Sequence, residues 1–529
     1  MTTGTVTPYR SEAEAGRDGF AQLVRAEWTK FHTVRGWVAG LVAGMLLLAL
    51  FGFVAGGTGS CNEQNPCPVP TGPGGEEVSD SFYFVRQPLA GDGSITVRVT
   101  SLTGLIPALD NAGQGRGTGT GPVDGQGMRM RSGVVPWAKA GIIIRESTQA
   151  GSAYAAMMVT GRHGVRMQYD YTEDKAGRPG AVSPASPRWL RLTRTGRTLT
   201  GYESADGANW TRVATMTLPG ASSTVQAGLF AASPDYSESM ALGLGMNVGP
   251  ALATAAFDNV SLRGAGSGGA WIGERMGGPD NLPSLLSGEF HQSAGAFTVS
   301  GSGDIAPDVP PEGLGTTIAQ TLAGTFATLI ALVVVGAMFV TAEYRRGMIR
   351  TTLTASPRRG RVLVAKAVVI GTVAFVAGLA GAGVAVPVGQ RLLRGNGVYV
   401  FPVTWFTEAR VIVGTAAVLA VSAVLAVGIG ALVRRSAAAV AAVIMVIVVP
   451  YLLAISILPA GVSQWLLRIS PAAAFAVQQT IPQYYQVDNP YTPANAYFPL
   501  SAWAGFAVLC AWAVLVMGLA VFLIRRRDA

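Results

Sequence analysis

Five carboxylates in the middle of the chain are the first candidates for chemistry: Glu146, Glu203, Asp206, Asp235 and Asp258. Glycoside hydrolysis needs two carboxyl groups flanking one bond. These five form no closely alternating acidic cluster; Asp206 fits a hairpin turn and Asp258 a strand end, so they read as structural. The three histidines, His32, His163 and His291, are isolated and do not make a metal cluster. No G-x-x-x-x-G-K-[ST] loop is present to cradle phosphates, and the run Gly115 to Gly119 lacks the strand-to-helix context of one. No catalytic residue, cofactor or metal is therefore assigned to this chain. Cys61 and Cys67 lie close together; an oxidising exterior would join them in a small disulfide loop, with two free thiols as the alternative. Cys510 reads as a small residue within an apolar segment.

A second set of residues suits mechanical rather than covalent work. Glu343, Tyr344, Arg345, Arg346, Gly347, Thr351, Thr352, Leu353, Pro357, Arg361 and Lys366 lie in a polar, basic link between two long apolar stretches. A short helix bracketed in this way can seat in a groove of a soluble partner, whose rigid-body motion would tilt both stretches. The alternative is that the arginines only fix topology and meet anionic lipid. Near the start, Phe20, Leu23, Val24, Trp28, Phe31 and Val34 recur at helical spacing, with Arg17, Arg25 and Lys30 between them. That pattern describes an amphipathic helix lying in a membrane interface; an ordinary cytoplasmic helix is the plainer reading.

The elements that must position these residues follow from hydropathy. Charged residues are only 13% of the 529, where soluble domains run near 25%. Six stretches reach the roughly 20 apolar residues a bilayer core requires: Trp37 to Gly56, Ile318 to Thr341, Lys366 to Val388, Val411 to Val433, Ala437 to Ile457 and Ala502 to Ile524. The first follows too long a flank to be a signal peptide and is expected to be a retained anchor. Basic clusters at 25–35, 345–366, 434–435 and 525–527 all fall on one side of a six-span arrangement, which makes that side the cytoplasm. The N- and C-termini are then cytoplasmic and residues 57–315 extracellular, in a multi-pass protein of the cell membrane. The formal charge of +9 is topological, and nucleic acid is not an expected partner. Arg391, Arg394 and Arg410 run against the rule, in an aromatic turn where their guanidinium groups can reach water. Pro450 is expected to kink the fifth span.

Between the first two spans the chemistry changes. After a Pro/Gly-rich linker (57–79), Ile95, Val97 and Val99 alternate with Thr96, Arg98 and Thr100; similar alternation recurs at Val165 to Tyr171 and at Leu190 and Leu192. Turn residues separate these runs, as an antiparallel sandwich requires. Its faces are expected to bury Trp137, Tyr154, Trp189, Trp210 and Phe230. A loop-rich stalk, 263–315, with one strand at 296–300, would return the chain to the membrane. Asn209-Trp210-Thr211 is a formal glycosylation triplet, of a kind that arises often by chance.

Two resemblances rest on these residues. WAKAGIIIRES (137–147), SAYAAMMVT (152–160), HGVRMQ (163–168), WLRLTRTGRTLTGYESADGANWTRV (189–213) and AAFDNVSL (255–262) resemble the concanavalin A-like lectin/glucanase sandwich over 80–262. This implies an inserted all-β jelly roll, with an extracellular glycan as a candidate ligand by fold analogy alone. LVRAEWTKFHTVRGW (23–37) and TAEYRRGMIRTTLTASPRRGRVLVAKAVV (341–369) resemble the elbow helix and cytoplasmic link of type-2 ABC exporter permeases, over 20–56 and 316–529. The resemblance implies an α-helical polytopic membrane protein of six transmembrane helices: a cytoplasmic tail and elbow (1–36), transmembrane helix 1 (37–56) and a permease core (316–529). It also implies a separate ABC ATPase that binds ATP and Mg, a second permease half, alike or different, and short re-entrant helices between the last two spans. The competing readings are a membrane-anchored glycan-binding receptor without transport and a tethered glycan hydrolase; neither needs more than one span. The cargo is not legible in the sequence.

Overall fold

The structure is a computed structural model that describes residues 19–57, 69–108, 122–123, 127–220, 223–239, 246–266, 268–278, 283–309, 315–345, 347, 359–456, 458–487 and 497–526. A helical bundle and a large antiparallel β domain divide the chain. The helices are α1 (Phe20–Thr33), α2 (Arg35–Gly57), α3 (Thr325–Arg345), α4 (Arg359–Gly395), α5 (Trp405–Val433), α6 (Ser436–Ser456), α7 (Ala460–Ile469) and α8 (Ala502–Arg526). Six of them, all but α1 and α7, are long and apolar enough to cross a bilayer. α3, α4 and α5 form the buried centre, while α2, α6 and α8 keep most of their apolar surface exposed, as Leu46, Phe53, Val514 and Leu515 illustrate.

Packing explains which face of α2 turns inward. Its buried residues are Gly44, Leu48, Gly52 and Gly56, one per helical turn. A Cβ on Gly52 would fall 2.7 Å from Ala385 Cβ and 2.9 Å from Thr321 O, so only hydrogen lets α2 approach α4 this closely. Thr328 Oγ1 of α3 donates to Gly44 O at 2.9 Å across the same seam. The third apolar stretch is longer than its hydropathy indicates: α4 continues outward through Lys366 at one end and through Arg391 and Arg394 at the other. Pro450 lies within α6 and Pro387 within α4. α7 and a 3-10 turn, Pro471–Gln478, fill the interval between α6 and α8.

The β domain begins with β1 (Val78–Asp80) and the long β2 (Phe82–Pro107), followed by β3 (Met130–Ser132), β4 (Lys139–Arg145), β5 (Tyr154–Thr160), β6 (Val165–Tyr169) and β7 (Glu173–Ala176). Next come β8 (Arg188–Thr195), β9 (Thr198–Ser204), β10 (Thr211–Thr217), β11 (Thr224–Ala232), β12 (Tyr236–Ser239), β13 (Met246–Gly249) and β14 (Leu252–Ala265). β15 (Ile272–Met276), β16 (Glu289–Ser293), β17 (Ala296–Gly301) and β18 (Ile305–Pro307) complete the described set. Fourteen strands join in one sheet, in which β2 serves twice. Its first part pairs with β11 and β15, and its second with β8 and β14. The change of partners falls at Gly91, whose φ of 63° favours glycine, and Gly93, where a Cβ would lie 2.4 Å from Arg263 O.

Side chains from both parts of the sheet meet in one core, including Val85, Ile142, Met157 and Leu229 from one and Ile95, Val97, Val99, Leu190 and Leu192 from the other. The alternation expected at 95–100 is present, with Thr96, Arg98 and Thr100 half-buried on the opposite face. Trp137, Tyr154 and Phe230 are buried as expected. Trp189 and Trp210 are only half-buried, a correction. Trp189 alternates with the core residue Leu190 and so points away from the core, and Trp210 lies under the guanidinium of Arg191.

Residues 263–315 also correct the expectation of a loop-rich stalk. β15 pairs with β2, β17 with β14 and β16, and β18 with β1, so the described part of this segment belongs largely to the β domain. The expected strand at 296–300 is β17. The β1–β18 ribbon and a second apolar cluster, which includes Phe82, Phe84, Tyr154, Tyr171 and Phe230, cover the other face of the first half-sheet. Two ion pairs are buried there, Arg145–Asp80 at 2.8 Å and Lys139–Asp304 at 2.5 Å.

Candidate functional site

The mechanically interesting residues converge at the end of the bundle remote from the β domain. Helix α1 starts where Gln22 accepts a hydrogen bond from the Gly19 N–H, and its last turn carries Lys30, whose ammonium suits a helix C-terminus. Its inward residues are Glu27 and Phe31, one turn apart and each 2% exposed. Phe31 meets Phe339 of α3 edge-on at 5.8 Å, and Trp37 at the start of α2 meets the same ring at 5.1 Å. This aromatic trio seats the elbow against two membrane helices.

Four opposite charges lie beside it. Lys366 Nζ of α4 donates to Glu27 Oε2 at 2.6 Å and to Glu343 Oε1 at 2.7 Å. Lys30 Nζ donates to Glu27 Oε1 at 2.8 Å and to Glu343 Oε1 at 3.0 Å. Lys366 also sits 4.6 Å from the Phe339 ring centroid, a cation–π contact. Glu27, Glu343 and Lys366 are buried, whereas the Lys30 side chain keeps 40% exposure. Burial opposes the charge on Lys30, but its hydrogen bond and attraction to Glu27, then Glu343, lift its pKa above the ordinary lysine value. Two lysines balance two glutamates, so the cluster holds no net charge. The sum matters because a lone buried charge carries a solvation cost of several kcal/mol.

The cluster ties α1, the end of α3 and the beginning of α4 into one joint. The last two flank the 346–358 segment, most of which lies outside the described residues. Nearby, Arg434 ends α5 in the left-handed region (φ 60°) and lays its guanidinium 5.2 Å from the Tyr344 ring. The close ends of α4 and α8 complete the arrangement: a Cβ on Gly360 would fall 2.9 Å from Val521.

Of the residues singled out in the link, Glu343 and Lys366 are brought together, and Tyr344 stacks with Arg434. Arg345, Gly347 and Arg361 are exposed. Arg346, Thr351, Thr352, Leu353 and Pro357 lie outside the described residues, as do Cys61 and Cys67. Of the four elbow residues singled out, only Phe31 faces inward; Leu23 is half-buried, and Phe20 and Trp28 are exposed. Glu27 and the bridging role of Lys30 were not predicted. The available signal was an acidic residue on the face of an otherwise apolar and basic helix.

A second joint lies at the other end. Gln486 donates its amide to Tyr171 O and Thr172 O of the β domain, both at 3.1 Å, and is itself 3% exposed. Ala306 and Val309 pack with Phe401, Ile481, Val487 and Tyr497. The Tyr399 hydroxyl donates to Gly75 O, and a parallel bridge joins Thr316 to Val400. Asp170 and Asp308 flank this seam. Burial first, then neighbouring carboxylates, raises each to about 6. Neither is in an ion pair among the described residues.

Six apolar helices and a buried joint at one end of the bundle define a multi-pass membrane protein. The family described as "ABC-2 family transporter protein" matches residues 199–529, more than half of the chain, and the chain belongs to that family. Membership implies a lipid bilayer and an ABC ATPase partner. No curated protein matches the chain. Among solved structures, a functionally unknown protein from Saccharomyces cerevisiae is 14% identical, with 35% of this chain and 76% of that one covered at a TM-score of 0.20. Scytalido-glutamic peptidase with a peptide-based transition state analog is 8% identical, with 42% and 98% covered and a TM-score of 0.23.

Proposed function

We propose that the chain is the permease subunit of an ABC exporter, driven by ATP hydrolysis in a separate ATPase subunit that binds the ATP and Mg. The observation that carries this reading is the buried joint of Glu27, Lys30, Glu343 and Lys366. A partner gripping the 346–358 link would displace the end of α3 and the beginning of α4 together, and the joint would carry that displacement into α1. In this reading the joint end is cytoplasmic, both termini are on that side, and residues 57–315 form an extracellular domain of concanavalin A-like, jelly-roll type. Arg345, Arg346 and Arg361 meet the partner; Phe20 and Trp28 lie in the lipid interface. The exposed apolar sides of α2, α6 and α8 face lipid and a second permease half. A tethered receptor or hydrolase needs neither the six spans nor the joint.

Purification in mild detergent tests the proposal. An ABC ATPase is expected to accompany the chain, with its turnover stimulated by it. R345E should weaken that association about tenfold, the effect of roughly 1.4 kcal/mol, while membrane insertion is unchanged. Absence of any ATPase from the purified complex would overturn the reading.

A further inference from the structure

One face of the β domain is rich in arginine and threonine side chains to which the permease reading assigns no role. Strands β14, β2, β8, β9 and β10 lie side by side in that order. Their core-facing side includes Ile95, Val97, Leu190, Leu192 and Leu199. The opposite side lies across the sandwich from the β1–β18 ribbon, and therefore away from the helical bundle. Cross-strand register places its residues in rows. In one, Thr96, Arg191, Tyr202 and Arg212 are consecutive neighbours. In the next, Arg263, Ser94, Thr193, Thr200 and Thr215 are. A third brings Thr195, Thr198 and Thr217 together.

Charge on this face is one-sided. Arg98 is neutralised by Asp258 through two hydrogen bonds. Arg191, Arg212 and Arg263 are in no ion pair among the described residues. Arg191 donates instead to Thr96 Oγ1 at 3.1 Å, and its pKa is lowered by partial burial and then by Arg263. Like charges held close on a sheet destabilise it, and a polyvalent anion would relieve the repulsion. The two tryptophans at this face, Trp189 and Trp210, are not free to stack on a neutral sugar. The Arg191 guanidinium lies 3.8 Å over Trp210, and the Gly207 backbone packs so closely on Trp189 that a Cβ there would fall 2.7 Å from the ring. The face offers chiefly polar recognition: guanidinium groups for anions, surrounded by a lattice of hydroxyls that both donate and accept.

We propose that this five-strand face binds an anionic, hydroxyl-rich polymer, with Arg191, Arg212 and Arg263 meeting its carboxylate or phosphate groups and the threonine rows meeting its hydroxyls. The inference goes beyond the permease reading and does not depend on it, since binding is measured without transport or ATPase.

The full chain in nanodiscs of zwitterionic lipid is tested against four probes: polygalacturonate, poly(glycerol phosphate), neutral dextran and single-stranded DNA. Binding is expected to at least one of the first two, and which one identifies the anion. It should fall with added salt, since the charges are exposed, and dextran should not bind. R212Q and R263Q should each weaken binding about tenfold, the value of one charge-assisted hydrogen bond. K175Q, on the other half-sheet, removes an exposed charge as a control and should leave binding unchanged. Both arginines are exposed, so the variants should retain wild-type thermal unfolding. The inference fails if neither anionic polyol binds, if the R212Q/R263Q double variant binds as wild type does, if K175Q weakens binding equally, or if DNA binds as tightly as the better polyol.

Discussion

The two ends of the bundle are held by opposite means. At one, two lysines and two glutamates interlock in a buried joint with no net charge, supported by three aromatic rings. At the other, an apolar patch and an amide bonded to two backbone carbonyls join bundle to β domain, beside two carboxylates in no ion pair among the described residues. The first is geometrically exacting, because each charge depends on its partners for the solvation it has lost. The second should tolerate loss of one contact but respond to protonation. The motion-carrying role proposed for the joint would benefit from the first property; a seam that keeps a domain attached benefits from the second.

The largest test of this contrast is K366M. It leaves Glu27 and Glu343 facing each other with only Lys30 between them, and should destabilise the bundle by about 3–5 kcal/mol, read as a lower unfolding temperature in detergent. E27Q/K366M restores balance, leaving the Lys30–Glu343 pair, and should recover much of that loss; if the double variant is as unstable as the single, charge balance is not what holds the joint. Q486A comes next. It strips Tyr171 O and Thr172 O of their donor, at a cost of about 1–3 kcal/mol, confined to the seam and visible as faster hydrogen exchange near 171–172 without change at the joint.

Protonation gives the smallest effect and the sharpest distinction. Folded Asp170 and Asp308 keep their protons up to about 6, whereas an unfolded aspartate loses its own near about 3.9. The folded chain therefore binds more protons between those values. Any penalty from these groups is absent below the unfolded pKa, grows through the window and is complete above about 6. Seam protection against hydrogen exchange should fall as pH rises from about 4.5 to about 7, and D308N should flatten that dependence. A pH response that is unchanged in D308N would assign it elsewhere.

Much of the architecture was legible without coordinates. A bilayer imposes a fixed length of uncharged helix, so hydropathy located the six long apolar helices among the described residues; only ends moved, such as those of α4, which begins at Arg359 rather than Lys366 and runs past Val388 to Gly395, because a helix continues through charged residues beyond its apolar run. Alternation located the β8 and β2 core positions, since a strand's two faces are written in successive residues. The segment 263–315 was misjudged because its strands are short and pair with β1, β2 and β14, partners distant in sequence. Of the candidate site, Glu343, Lys366 and Phe31 were identified by type, but not their mutual contact.

The sequence alone determined the periodic features: how many helices are apolar enough to span, which strand residues face a core, and where basic residues gather. Each depends on neighbours within a few positions along the chain. Only the tertiary structure decided that Glu27 neutralises Lys366 across 339 positions, that Gln486 fastens the β domain, and that Arg191, Arg212 and Arg263 share one face. Such pairings carry no local signature, because their energy arises only after folding has brought the groups together and excluded water from between them.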